Sequence, residues 1–153
     1  MSDTTYADNY RNIDFRKHPE KYKIGRGEQG VLIAEPYKSE ILPYWKFATP
    51  DMARESSAKI YELFQEYARH DDFVGMDMAR KFLLMGFTRS RRYANHSSGV
   101  KYTKDHKIIT QDSDWRKSDK AKSAQIFYET YVKVKDSSEY LALKDKHLGK
   151  LNK

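Results

Sequence analysis

Cysteine is absent from the chain. That excludes disulfides, thiolate metal sites and any thiol nucleophile, and it fits a reducing compartment. No apolar run approaches the roughly 20 residues that cross a bilayer. The opening stretch through Phe15 is polar and lacks the apolar centre of a signal peptide. The expectation is a soluble, cytoplasmic protein with no membrane partner. Proline is scarce, and three of the four, Pro36, Pro43 and Pro50, fall within residues 35–50, which therefore cannot form one long helix. Acid is scarce in one place: residues 80–107 hold eight Lys and Arg against Asp105 alone, a net +7 that equals the balance of the whole chain.

What is present supports a folded domain. The 153 residues are 39% apolar and 14% aromatic, enough for one hydrophobic core despite 33% charge. Residues 1–20 read as a polar arm and residues 21–153 as one globular domain. The short β-type runs Tyr22-Lys23-Ile24 and Val31-Leu32-Ile33-Ala34 flank a glycine-rich link and predict a hairpin. Thr49-Pro50 is a cap followed by proline at the first helical position, and predicts a helix over about 51–69. A second helix is expected over about 76–85, stopped by Gly86. Thr88 caps a short third over 89–95. Residues 107–110 read as a strand, and a long helix is expected over about 114–135. Ser137 starts a last one, which Gly149 ends. The expected class is α+β: a single, mainly helical domain with a small β-hairpin.

Gly25, Gly27 and Gly30 spell G-x-G-x-x-G, but strand rather than helix follows, so the dinucleotide-binding reading fails on context. The link reads as a tight hairpin. Its functional version has the glycines admitting a phosphate close to the backbone, with Arg26 adding charge and Glu28 a hydrogen bond. Residues 87–96 carry more chemistry. Arg89, Arg91 and Arg92 offer guanidinium forks to phosphate or guanine, Asn95 can pair adenine, and Tyr93 or His96 can stack on a base. Arg89, Arg92 and His96 share one side of a helix, with Ser90 and Ala94 on a small-residue face. With the preceding helix and Gly86, the outline is that of a helix–turn–helix. The bland reading pairs these arginines with Asp71, Asp72 or Asp77. His70, Asp71, Asp72 and Asp77 form the one dense His/acid cluster, but helix capping accounts for it and no spacing matches a metal site. His18, His106 and His147 are isolated and read as surface residues. No metal and no cofactor is expected.

The strings from Tyr22 to Leu32, from Glu35 to Pro43 and from Asp72 to Phe82, with Met85-Gly86-Phe87-Thr88-Arg89 and Arg91-Arg92-Tyr93-Ala94-Asn95-His96, resemble an uncharacterised family. It consists of small bacterial and phage proteins known only as a domain of unknown function. The resemblance covers roughly residues 10–102. It implies a bacterial or phage origin and supplies no activity and no site.

The function expected from the residues is a nucleic-acid-binding or nucleotide-phosphate-binding accessory protein. Arg80, Arg89, Arg91, Arg92, Lys101 and Lys104 contact phosphate in this reading, and Tyr93, Asn95 and His96 contact base or sugar. One alternative is a small enzyme on a phosphorylated or nucleic-acid substrate, with Glu28 or Asp77 as acid/base. Another is a phage protein that binds a host protein through its basic face.

Overall fold

The computed structural model describes residues 13–22, 34–95 and 119–151. Among these residues, five helices carry the fold: α1 (Tyr37–Ile41), α2 (Pro50–Arg69), α3 (Phe73–Asn95), α4 (Asp119–Lys135) and α5 (Ser138–Leu151). Short 3-10 turns at Pro19–Lys21 and Leu42–Tyr44 join them. Among the described residues there is no strand, only an isolated bridge between Asp14 and Glu35. The fold is all-α, which overturns the expected α+β class. All of the expected hairpin except Tyr22 and Ala34 lies outside the described residues, as does the strand expected at 107–110. Where the second hairpin run ends, the chain already turns helical: Ala34 accepts a hydrogen bond from the Lys38 amide at 2.9 Å. β-propensity in a four-residue run is a weak constraint beside helix packing.

Helix α2 forms as its sequence dictates. The Thr49 hydroxyl accepts from the Met52 amide at 3.1 Å, and Pro50 follows at the first helical position. Ala53, Ile60, Phe64 and Tyr67 form its buried stripe. Its end is a Schellman turn. The Asp72 amide donates to the Tyr67 carbonyl at 2.8 Å, the Asp71 amide donates to Ala68 at 3.1 Å, and Asp71 takes the left-handed position at φ 52°. Asp72 then caps α3 by accepting from the Gly75 amide at 3.1 Å.

Helix α3 is the central element and touches α1, α2, α4 and α5. It runs unbroken through Gly86, so the two expected helices and the helix–turn–helix outline are one rod of 23 residues. The reason is packing. A Cβ on Gly86 would lie 2.6 Å from the Phe127 ring of α4, so glycine here admits a neighbour instead of ending a helix. From Phe73 to Leu83 every residue of α3 is buried. Phe127 of α4 lies against Gly86 and Tyr128 against Phe87, whereas Tyr140, just past the end of α4, bonds Asp77 near the start of α3. So α4 descends as α3 rises and the two are antiparallel. Helix α4 begins, as described, at Asp119; residues 114–118 lie outside the described residues. The Ser137 hydroxyl accepts from the Tyr140 amide at 3.1 Å and starts α5 as expected, but α5 continues past Gly149 to Leu151. Residues 13–22 pack on this bundle through the fully buried rings of Phe15 and Tyr22. Among the described residues no helix is long and apolar enough to cross a membrane.

Candidate functional site

The basic residues of α3 divide by position. In its first half, Asp77, Arg80 and Lys81 recur at i, i+3 and i+4, which places all three on one side of the helix. Asp77 and Lys81 are 0% exposed and Arg80 is 8% exposed. Arg80 Nε donates to Asp77 Oδ1 at 2.8 Å, and Lys81 Nζ stands 3.6 Å from Oδ2. Two tyrosine hydroxyls complete the knot: Tyr140 of α5 donates to Oδ1 at 2.6 Å, and Tyr22 donates to Oδ2. One carboxylate thus ties the segment before α1, the middle of α3 and the start of α5. Burial opposes the Asp77 charge, but the cations of Arg80 and Lys81 overcome it and hold the carboxyl below its ordinary value. Burial drives the Lys81 amine below its usual value, against the pull of Asp77. Arg80 is therefore turned into the core as the partner of Asp77, and Asp77 has no opening toward solvent.

In the last turns of α3 the arrangement reverses. Arg89, Arg91 and Arg92 are exposed. The other described arginines, Arg16, Arg54, Arg69 and Arg80, each lie within ion-pair distance of a carboxylate. Arg89, Arg91 and Arg92 have no such carboxylate among the described residues. Asp72 and Asp77, two of the acids that the sequence offered as their partners, are held by Tyr37 and by the Arg80 knot. What Arg89 and Arg91 do meet is aromatic: Arg89 lies 5.8 Å from the Trp45 ring and Arg91 5.8 Å from the Phe87 ring. Ser90 between them is buried, one turn beyond Gly86 on the same helix. Tyr93 and Asn95 belong to α3, but their side chains lie outside the described residues. So do Gly25, Arg26, Gly27, Glu28, Gly30, His96, Lys101 and Lys104.

A second polar group sits about 30 Å away along α3, at 1.5 Å per residue, around Asp72. Arg16 grips Glu40 with two bonds of 2.7 Å, and the Tyr67 hydroxyl adds a third at 2.8 Å. The bond from Arg16 holds the Glu40 carboxyl below its usual value, against partial burial. Burial and the neighbouring carboxylates push the hydroxyls of Tyr37 and Tyr67 well up. A cleft of about 1000 Å³ opens beside this group, walled by the first segment, α1, α2 and α5. Arg92 does not line it. His147, read from sequence as a surface residue, is buried at its edge, stacked on Phe73 and bonded to the Tyr22 carbonyl at 2.7 Å. Among the described residues, His70, Asp71, Asp72 and Asp77 do not converge on a common point that could hold a metal ion. His70 joins Glu66 instead, at 3.1 Å.

Arg16, Glu40 and Tyr67 escaped the sequence reading. They come from separate segments, and no short spacing links them. The Asp77 knot follows a local i, i+3 and i+4 spacing, yet the sequence reading gave Arg80 to phosphate and Asp77 to acid/base chemistry. No curated protein and no solved structure matches the chain. The profile of one family matches residues 5–150, and the chain therefore belongs to the family described as Domain of unknown function (DUF4385).

Proposed function

We propose that this chain binds the phosphate backbone of nucleic acid through the last turns of α3. The observation that carries the reading is the partition of the arginines. Four of the seven described are matched with carboxylates, and the three without such a match among the described residues lie together at residues 89–92 and are exposed. Arg89, Arg91 and Arg92 keep their forks available for charge-assisted, bidentate contact with phosphate oxygens. Lys101, Lys104 and Lys107 follow within the same basic stretch and extend the field by sequence alone. A rival explanation is that cations near a helix C-terminus merely offset its dipole, which is worth about 0.3–1 kcal/mol at the surface. One cation suffices for that, and three are present. The bacterial or phage setting implied by the resemblance, and a cytoplasmic location, belong to this proposal, because nucleic acid is abundant there.

The test is fluorescence anisotropy with labelled oligonucleotides across a salt series. Binding at about 50 mM salt should weaken by orders of magnitude by about 200 mM, because association releases phosphate-bound counterions and that gain shrinks as salt rises. No binding at the lower salt, or binding indifferent to salt, overturns the proposal and leaves a protein partner as the reading of the basic face.

A further inference from the structure

Beside Arg91 the bundle carries a row of aromatic rings. Phe87 of α3 faces Tyr128 of α4 with ring centroids 4.9 Å apart, and Tyr131 follows 6.5 Å from Tyr128. Arg91 is one turn beyond Phe87 and stands over its ring. Tyr128 is 41% exposed, whereas the neighbouring Phe127 is fully buried under Gly86. The Tyr128 ring thus lies at the edge of the helix seam, with one side against Phe87 and the rest open to solvent. The other exposed large hydrophobic side chains among the described residues include Met52, Leu141 and Leu148, which carry no ring on which a base could stack. Tyr44 is exposed as well, but Lys59 lies over it on a different part of the surface.

We infer that this row takes unpaired bases, so that the nucleic acid bound at the end of α3 is single-stranded. The inference rests on the phosphate-binding reading above and names its substrate class. Single-strand binding combines cations that follow the backbone with aromatic faces on which bases stack, and Arg adds to the stack. In a duplex the bases already stack on each other, and an exposed tyrosine beside the groove gains nothing from them. Charge complementarity selects the polymer: the cation at the end of the row, Arg91, has no carboxylate among the described residues. The row runs about 6 Å from Phe87 to Arg91 and about 4.5 Å from Tyr128 to Tyr131 along the helix axes, room for a short run of nucleotides. DNA and RNA share this chemistry, and the experiment separates them.

The experiment titrates the full chain into fluorescein-labelled 12-nucleotide oligothymidine, the oligouridine equivalent and a 12-base-pair duplex. Tyr128→Ala, Tyr128→Phe and the triple change Arg89→Ala, Arg91→Ala, Arg92→Ala are compared with the parent. The parent should bind at least one single strand more tightly than the duplex, and the tighter strand identifies the polymer. Tyr128→Ala should weaken single-strand binding at least about fivefold, the lower end of one lost base stack. Tyr128→Phe, which keeps the ring, should stay within twofold. The arginine change should weaken all three. Equal single-strand affinity for Tyr128→Ala and parent overturns the inference, while duplex binding that still depends on the arginines would leave the phosphate-binding reading standing. Absence of binding to all three oligonucleotides overturns both.

Discussion

The two halves of α3 contain the same kinds of cation and use them in opposite ways. Arg80 and Lys81 stand one turn from Asp77 and are drawn into the core. Arg89, Arg91 and Arg92 stand three turns or more from that acid and remain outside. A basic stretch is therefore not one feature. Its members divide according to whether a carboxylate lies three or four residues away and whether that carboxylate faces the bundle. The first half of α3 should respond to mutation through stability, and the second through binding.

The largest effect should come from the carboxylate that defines the first half. Asp77→Ala strands two buried cations and leaves the hydroxyls of Tyr22 and Tyr140 without their acceptor. Breaking a buried pair in this way costs about 3–5 kcal/mol. Urea unfolding measures it, and a loss below about 1 kcal/mol would mean that the two halves do not differ as argued.

The boundary between the halves can be tested next. Gly86→Val puts a side chain against the Phe127 ring, where a Cβ alone would lie 2.6 Å from Cδ1. Overpacking of this kind costs about 1–3 kcal/mol. If Gly86 were a helix stop, as its place after the apolar run first indicates, valine would instead be accommodated at the surface. An unchanged thermal midpoint would restore the two-helix reading.

A smaller effect separates the halves by pH. The Asp77 carboxyl is depressed in the folded state, while the unfolded value is about 3.9. Between those values the unfolded chain binds more protons, so stability rises with pH there. The contribution of Asp77 is complete above about pH 4 and is lost as pH falls through the folded value. Glu40, depressed by Arg16, acts in the same direction. Unfolding curves from pH 7 down to pH 3 should show a steady midpoint at first and a decline at the acid end. A decline that starts near pH 6 would contradict the assignment to these carboxylates.

Sequence alone reached the parts of this molecule that local rules control. Thr49-Pro50 and Ser137 start helices where their capping chemistry says they should. Gly86 misled because its propensity to end a helix was weighed without Phe127, which is 41 residues away and decides the matter. The class was misjudged for a similar reason: short β-type runs next to glycines say little when the bundle supplies the core. Arg16 and Glu40 lie 24 residues apart, and His147 meets the carbonyl of a residue 125 positions earlier. No periodicity encodes such meetings. Arg89, Arg91 and Arg92 were legible as cations, but that no carboxylate among the described residues pairs with them emerged only from the fold.

The most direct measurement uses one protein, the triple change Arg89→Ala, Arg91→Ala, Arg92→Ala, and reads both properties. Its unfolding free energy should stay within about 0.5 kcal/mol of the parent, as exposed substitutions do. Its affinity for nucleic acid should fall, and the slope of log affinity against log salt should shrink in magnitude by about 2–3, close to one unit per phosphate contact removed. A stability loss of the size expected for Asp77→Ala, with affinity and salt slope untouched, would contradict the account and make the end of α3 as structural as its beginning.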